Sequence, residues 1–168
     1  MLVEGMGINA TCRITGISKT AVLKLLADVG EACAAYQDRV MRNLTCKRLQ
    51  CDEIWSFVAK KERNVRKVAD KMRGHGDVWT WMAIDPETKL IPCWLVGPRN
   101  AKSAKEFMDD LAPRIAGRMQ LTTDGLKTYL AAVEGAFGSD IDYAMLVKLY
   151  GPAPATSTQE ARYSPAKC

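Results

Sequence analysis

The sequence predicts an α/β fold, a mixed sheet with flanking helices, preceded by a partial helix-turn-helix. Three observations lead there. Up to about residue 46, apolar side chains recur at helical spacing. From residue 49, short runs of branched and aromatic residues alternate with amphipathic stretches. Gly, Pro and Asp mark the junctions between them. The 168 residues leave room for one domain and a small appendage. An apolar content of 48% suits a globular chain and is too high for a disordered one. No run of about 18 apolar residues occurs, so no membrane span is expected. The N-terminal MLVEGMGINA lacks the basic start and apolar core of a secretion signal.

In chain order, CRITGISKTAVLKLLADVGEACAAYQDRVMRN reads as helical, with Ser18 as N-cap and Val22, Leu25, Leu26, Val29 and Cys33 at helical spacing. RITGIS looks like the turn of a helix-turn-helix. Gly16 sits at the turn, and Cys12, Val22 and Leu25 stand where the two helices should pack. Lys19, Thr20 and Lys24 then lie at the exposed start of a recognition helix; an ordinary helical hairpin shows similar spacing. LQCDEIWSFVA (49 to 59) has the composition of a strand. DVWTWMAID (77 to 85) and LIPCWLVG (90 to 97) read as a hairpin, with Pro92 placing the second strand at a sheet edge. SAKEFMDDLAPRIAGRM starts at Ser103 as N-cap, carries Phe107, Met108, Leu111 and Ile115 on one face, and should be interrupted at Pro113. MQLTTDG (119 to 125) is a short strand, LKTYLAAVEGAFG a helix and YAMLVKLYG (143 to 151) a last strand. PAPATSTQEARYSPAKC has no periodicity and reads as linker or disordered tail. The expected divisions are 1–46 for the partial helix-turn-helix, 47–151 for the α/β domain and 152–168 for the tail.

The six cysteines form no C-x-x-C pair and read as reduced thiols filling core positions. Net charge is +5, which favours a polyanionic partner. KKERNVRKVADKMR (60 to 73) concentrates Lys60, Lys61, Arg63, Arg66, Lys67, Lys71 and Arg73 against Glu62 and Asp70. Such a block is either a solvated face or a set of phosphate contacts. His75, in RGHGDVW, reads as a turn residue rather than a base.

Two acids stand out. Asp52 lies in the first strand, where propensity argues against it, and Asp124 ends a later one. If the first strand pairs with the fourth, the two become neighbours at a switch in strand order, where open α/β sheets place active sites. Paired carboxylates in an apolar sheet repel unless one is protonated or a cation bridges them. Mg²⁺ or Mn²⁺ suits oxygen ligands. A two-metal site, its ions about 4 Å apart, serves in-line phosphoryl transfer. The bland alternatives are that Asp52 caps an edge strand and that Asp124 opens the helix beginning at Gly125.

DEIW at 52 to 55 and TTDG at 122 to 125, with a helix-turn-helix upstream, resemble the insertion-sequence transposases of the IS-one (InsAB) type, from about Cys12 to Tyr150. The resemblance implies a DDE enzyme with a ribonuclease-H-like catalytic domain, Asp52 and Asp124 as first and second metal-binding carboxylates, and a prokaryotic, nucleoid-associated, cytoplasmic setting. It implies double-stranded DNA as partner, both terminal inverted repeats and target, and a homo-oligomer pairing two ends. A metal-activated water would cut one strand, and the freed 3′-hydroxyl would attack target DNA. Glu53 is expected on the opposite face and not as a ligand. The family's third acid, in a segment shaped like Y-x-E-R-x-N, has no counterpart: Glu160 sits in the tail and Glu134 on a solvated helix face. The chain therefore reads as an incomplete fragment that transposes poorly or not at all. The other reading is a non-catalytic DNA-binding remnant that occupies transposon ends and inhibits the full-length enzyme. A ribonuclease-H-like nuclease or resolvase shares the fold and metals, but a helix-turn-helix suits defined DNA ends better.

Overall fold

The computed structural model describes residues 1–147, which divide into a unit at Met1–Arg42 and a second unit beginning at Asn43. The expectations for the tail, for Glu160 and Cys168, and for the end of the last strand lie outside the described residues.

In the first unit α1 (Ile8–Thr15) stops at Gly16, whose φ of 72° is left-handed and whose N–H closes on the Cys12 carbonyl. α2 (Lys19–Val40) opens at Ser18, whose hydroxyl accepts from the Ala21 N–H at 3.2 Å. The helix, turn and cap thus fall where the sequence puts them. The packing is thinner than expected. Val22 is buried with Thr11 from α1, and Cys12 is half-buried, but Leu25 is 57% exposed. An eight-residue α1 is about 12 Å long, and Val22 in the first turn is the only buried side chain of α2.

The second unit is an α/β sheet of five strands: β1 (Arg48–Val58), β2 (Gly76–Ile84), β3 (Trp94–Gly97), β4 (Met119–Asp124) and β5 (Ile141–Leu146). Their order is β3-β2-β1-β4-β5, antiparallel from β1 through β3 and parallel from β1 through β4 to β5. The order therefore reverses at β1, the switch the sequence suggested. β1 is interior, so Asp52 does not cap an edge strand. β3 is an edge strand, as Pro92 implied, but it starts at Trp94 rather than residue 90 because proline has no N–H for the ladder. The β2–β3 connection turns on Asp85, whose carboxylate accepts from the Glu87 N–H (2.9 Å) and the Thr88 hydroxyl (2.7 Å).

Leu49, Cys51, Trp81, Ala83 and Leu121 point to one sheet face, covered by α4 (Ala101–Leu111) and α5 (Thr128–Phe137). Trp81 is fully buried between Phe107 (ring centroids 6.2 Å) and Tyr129 (5.5 Å, edge-on). α4 begins earlier than the sequence suggested. Asn100 is its cap, accepting from the Ser103 N–H at 3.0 Å, so Ser103 is a donor within the first turn. It ends at Leu111 and tightens into a 3-10 turn over Ala112–Arg114, as Pro113 requires. Of the cysteines, Cys51 and Cys93 fill the core, whereas Cys33 is exposed on α2 and fills none. No described helix is long and apolar enough to cross a membrane.

Candidate metal centre and nucleic-acid interface

β1 and β4 run parallel, with Gln50 opposite Thr122 and Cys51 opposite Thr123 as the last pairs. Asp52 and Asp124 are the next residues on each strand, and alternation turns both to the face that α4 and α5 leave uncovered. They line a cleft of about 600 Å³ together with Gln50, Met82, Thr122 and Leu146. The predicted pair therefore comes together.

Glu53 joins them, against expectation. Its Cβ does lie on the Leu49–Cys51 face and its side chain is only 1% exposed. Yet one carboxylate oxygen from each of Asp52, Glu53 and Asp124 lies within 4.8 Å of the others. Alternation fixes where a side chain leaves the strand, not where a three-torsion glutamate ends, and β1 has no further β4 partner beyond Cys51. One Glu53 oxygen, Oε1, is buried and makes no hydrogen bond of ordinary length, the Tyr129 phenol beside the carboxylate being the donor at hand. Such an atom is costly unless something supplies a donor or a cation. Three hard oxygen donors and a buried carboxylate oxygen without an ordinary hydrogen bond fit a divalent ion, so the cluster could hold a metal ion.

Sequence reasoning missed the cation already beside these acids. Arg99, just before α4, donates from Nε to Glu53 Oε2 at 2.7 Å and from Nη2 to Asp124 Oδ2 at 3.0 Å. Its guanidinium also lies over the Trp79 ring, 5.1 Å from the centroid. Partial burial opposes the Arg99 charge, but the Glu53 bond and the Glu53 and Asp124 charges outweigh it and raise its pKa. Asp124 Oδ1 accepts from the Leu126 N–H at 3.0 Å and so shapes the turn ahead of α5. That helix begins at Thr128 with Lys127 at its cap position, not at Gly125, so Asp124 does not open it as the bland reading held. Asp52 Oδ1 accepts from the Glu53 N–H at 2.8 Å. Burial, and after it the neighbouring Glu53 carboxylate, push the Tyr129 phenol well above its usual range. No local motif announces Arg99; the one available signal was the uncompensated charge of the two acids expected to converge, Asp52 and Asp124.

The basic residues fall into two groups. In the first unit Lys19 and Thr20 are exposed at the start of α2, while Lys24 pairs with Asp28 at 2.6 Å. In the second, residues 60 to 73 form a 3-10 turn (Glu62–Asn64) and the short α3 (Val68–Met72). Lys60 is tied to Asp70 at 2.9 Å, Lys71 to Glu62 at 3.6 Å, and Lys61 lies over the Trp55 ring at 4.9 Å. Arg63, Arg66, Lys67 and Arg73 make no ion pair among the described residues. His75 sits between Gly74 and Gly76, both at positive φ, and faces Asp70 at 3.4 Å.

No protein-family model matches this chain, and no curated protein matches it.

Proposed function

We propose that this chain is a transposase of the DDE type, cutting DNA at transposon ends and joining them to target DNA with Mg²⁺ or Mn²⁺. The observation that carries the reading is the convergence of Asp52 and Asp124 from adjacent parallel strands into one open cleft. The strand order and mixed sense are compatible with a ribonuclease-H-like arrangement, and the D-E-x-W and T-D-G motifs resemble those of the IS-one type enzymes.

Asp52 and Asp124 would hold the ions, with Glu53 as a third carboxylate from the described residues. The chemistry such ions supply is activation of water and stabilisation of the leaving oxygen in an in-line phosphoryl transfer. The protein's own part is to fix the carboxylates. The Glu53 N–H orients Asp52, the Leu126 N–H orients Asp124, and Arg99 Nε holds the buried Glu53 carboxylate. The cations of 60 to 73 that lack acidic partners would bind the DNA backbone, and Lys19, Thr20 and Lys24 would read its ends. A joining assay with Mn²⁺ and transposon-end DNA tests this. Joining is expected to be weak, because the family's third acid has no counterpart in this sequence, and to vanish in Asp52→Asn. Joining unaffected by Asp52→Asn contradicts it.

A second reading, a DNA-binding protein without catalysis, is favoured by Arg99, which itself compensates the charge of Glu53 and Asp124. Specific binding to terminal repeats that survives Asp52→Ala, with no joining under any metal, would select it.

A further inference from the structure

We propose that Arg99 is an internal counter-ion that competes with the divalent metal for Asp124, so that metal entry requires its guanidinium to let that carboxylate go. The inference rests on the metal-centre reading above and adds a residue that the motifs do not contain. Asp124 Oδ2 receives Arg99 Nη2, while Oδ1 is committed to the Leu126 N–H. Both oxygens of Asp124 are therefore engaged. Glu53 differs, because Arg99 Nε takes only Oε2, while Oε1 makes no hydrogen bond of ordinary length, the Tyr129 phenol being the other group beside this carboxylate. Arg99 thus neutralises part of the cluster's charge without satisfying it. A divalent ion could recruit Glu53 Oε1 at once but could claim Asp124 Oδ2 only against the guanidinium. The arginine has somewhere to stay: its Nε bond to Glu53 and its stacking on Trp79 do not depend on Asp124. A guanidinium also cannot lose its proton to make way. Exchange must therefore proceed by movement of the side chain, and removing the charge should favour the metal.

Mn²⁺ titration of the full chain, read by calorimetry or by electron paramagnetic resonance, tests this. Arg99→Gln should bind Mn²⁺ at least about tenfold more tightly than the wild type, equivalent to about 1.4 kcal/mol. Asp124→Asn in the same background should erase the gain. Arg99→Lys keeps the charge but loses the planar fork that spans two carboxylates, and should fall between. Added Mn²⁺ should raise the melting temperature of Arg99→Gln more than that of the wild type. Equal or weaker binding by Arg99→Gln overturns the proposal while leaving the metal centre standing. If that variant fails to fold, Arg99→Lys decides on the same terms, tighter binding supporting the proposal and equal or weaker binding overturning it. Absence of Mn²⁺ binding in the wild type and every variant overturns the metal centre and this proposal together.

Discussion

Asp124 shows how one side chain can serve structure and chemistry at once. Its Oδ1 holds the turn into α5 through the Leu126 N–H, and its Oδ2 faces Arg99 in the cleft. Asparagine keeps an oxygen for the turn but carries no charge. Asp124→Asn and Asp52→Asn should therefore fold, yet lose about 100-fold or more in DNA cleavage, equivalent to about 3 kcal/mol of transition-state stabilisation. Circular dichroism beside a nicking assay separates the two effects. The thiols offer an independent check of burial. Burial first, then the Cys93, Glu53 and Asp52 charges, push the Cys51 thiol well above its usual value. Burial and Asp110 take Cys93 up to about 12 against the pull of Arg114. Iodoacetamide at pH 8 should label the exposed Cys33 in the folded protein and reach Cys51 and Cys93 only after denaturation. Mass spectrometry of the native digest would expose an error here by finding either buried thiol modified.

The elements make two more predictions. Trp81 in β2 is the joint between sheet and helices, with Phe107 of α4 and Tyr129 of α5 against it. Trp81→Ala should cost about 3–5 kcal/mol in chemical denaturation. The turn at Asp85 should carry a pH signature. The Glu87 N–H and Thr88 hydroxyl hold its carboxyl below the usual carboxylate range. A depressed folded pKa means its stabilisation is complete above the unfolded value of about 3.9 and is lost as pH falls through the lower folded one. Wild type should therefore outlast Asp85→Asn in thermal melts at neutral pH, with the gap closing on acidification below that value. A gap independent of pH would show that the charge is irrelevant. The hairpin, the interruption at Pro113, and β4 were legible because their signals are local: alternation, a missing N–H, a T-D-G junction. The cap of α4 was misread because Ser103 and Asn100 are both good capping residues three positions apart, and only the backbone geometry decides which accepts. Glu53 and Arg99 were beyond local reading. Their ion pair spans 46 positions of sequence and depends on β4 ending beside Asp52.

The whole chain carries +5, yet its charges are sorted. Asp52 and Asp124 line a cleft on the sheet face opposite α4 and α5, while residues 60 to 73 leave Arg63, Arg66, Lys67 and Arg73 without ion pairs among the described residues. A molecule so arranged should bind DNA with steep salt dependence. Replacing those four by Ala should flatten log K against log[salt] by up to about 0.9 for each phosphate no longer neutralised. Fluorescence anisotropy over a salt series measures this, and an unchanged slope would return the segment to a solvated face. The metal reading itself is open to crystallography of the protein soaked in Mn²⁺. Anomalous density should appear between the 52 and 124 carboxylates, within about 2.0–2.3 Å of an oxygen from each. A saturating soak with no density there would contradict it; density there with Arg99 still bridging to Asp124 would contradict the exchange at Arg99 alone.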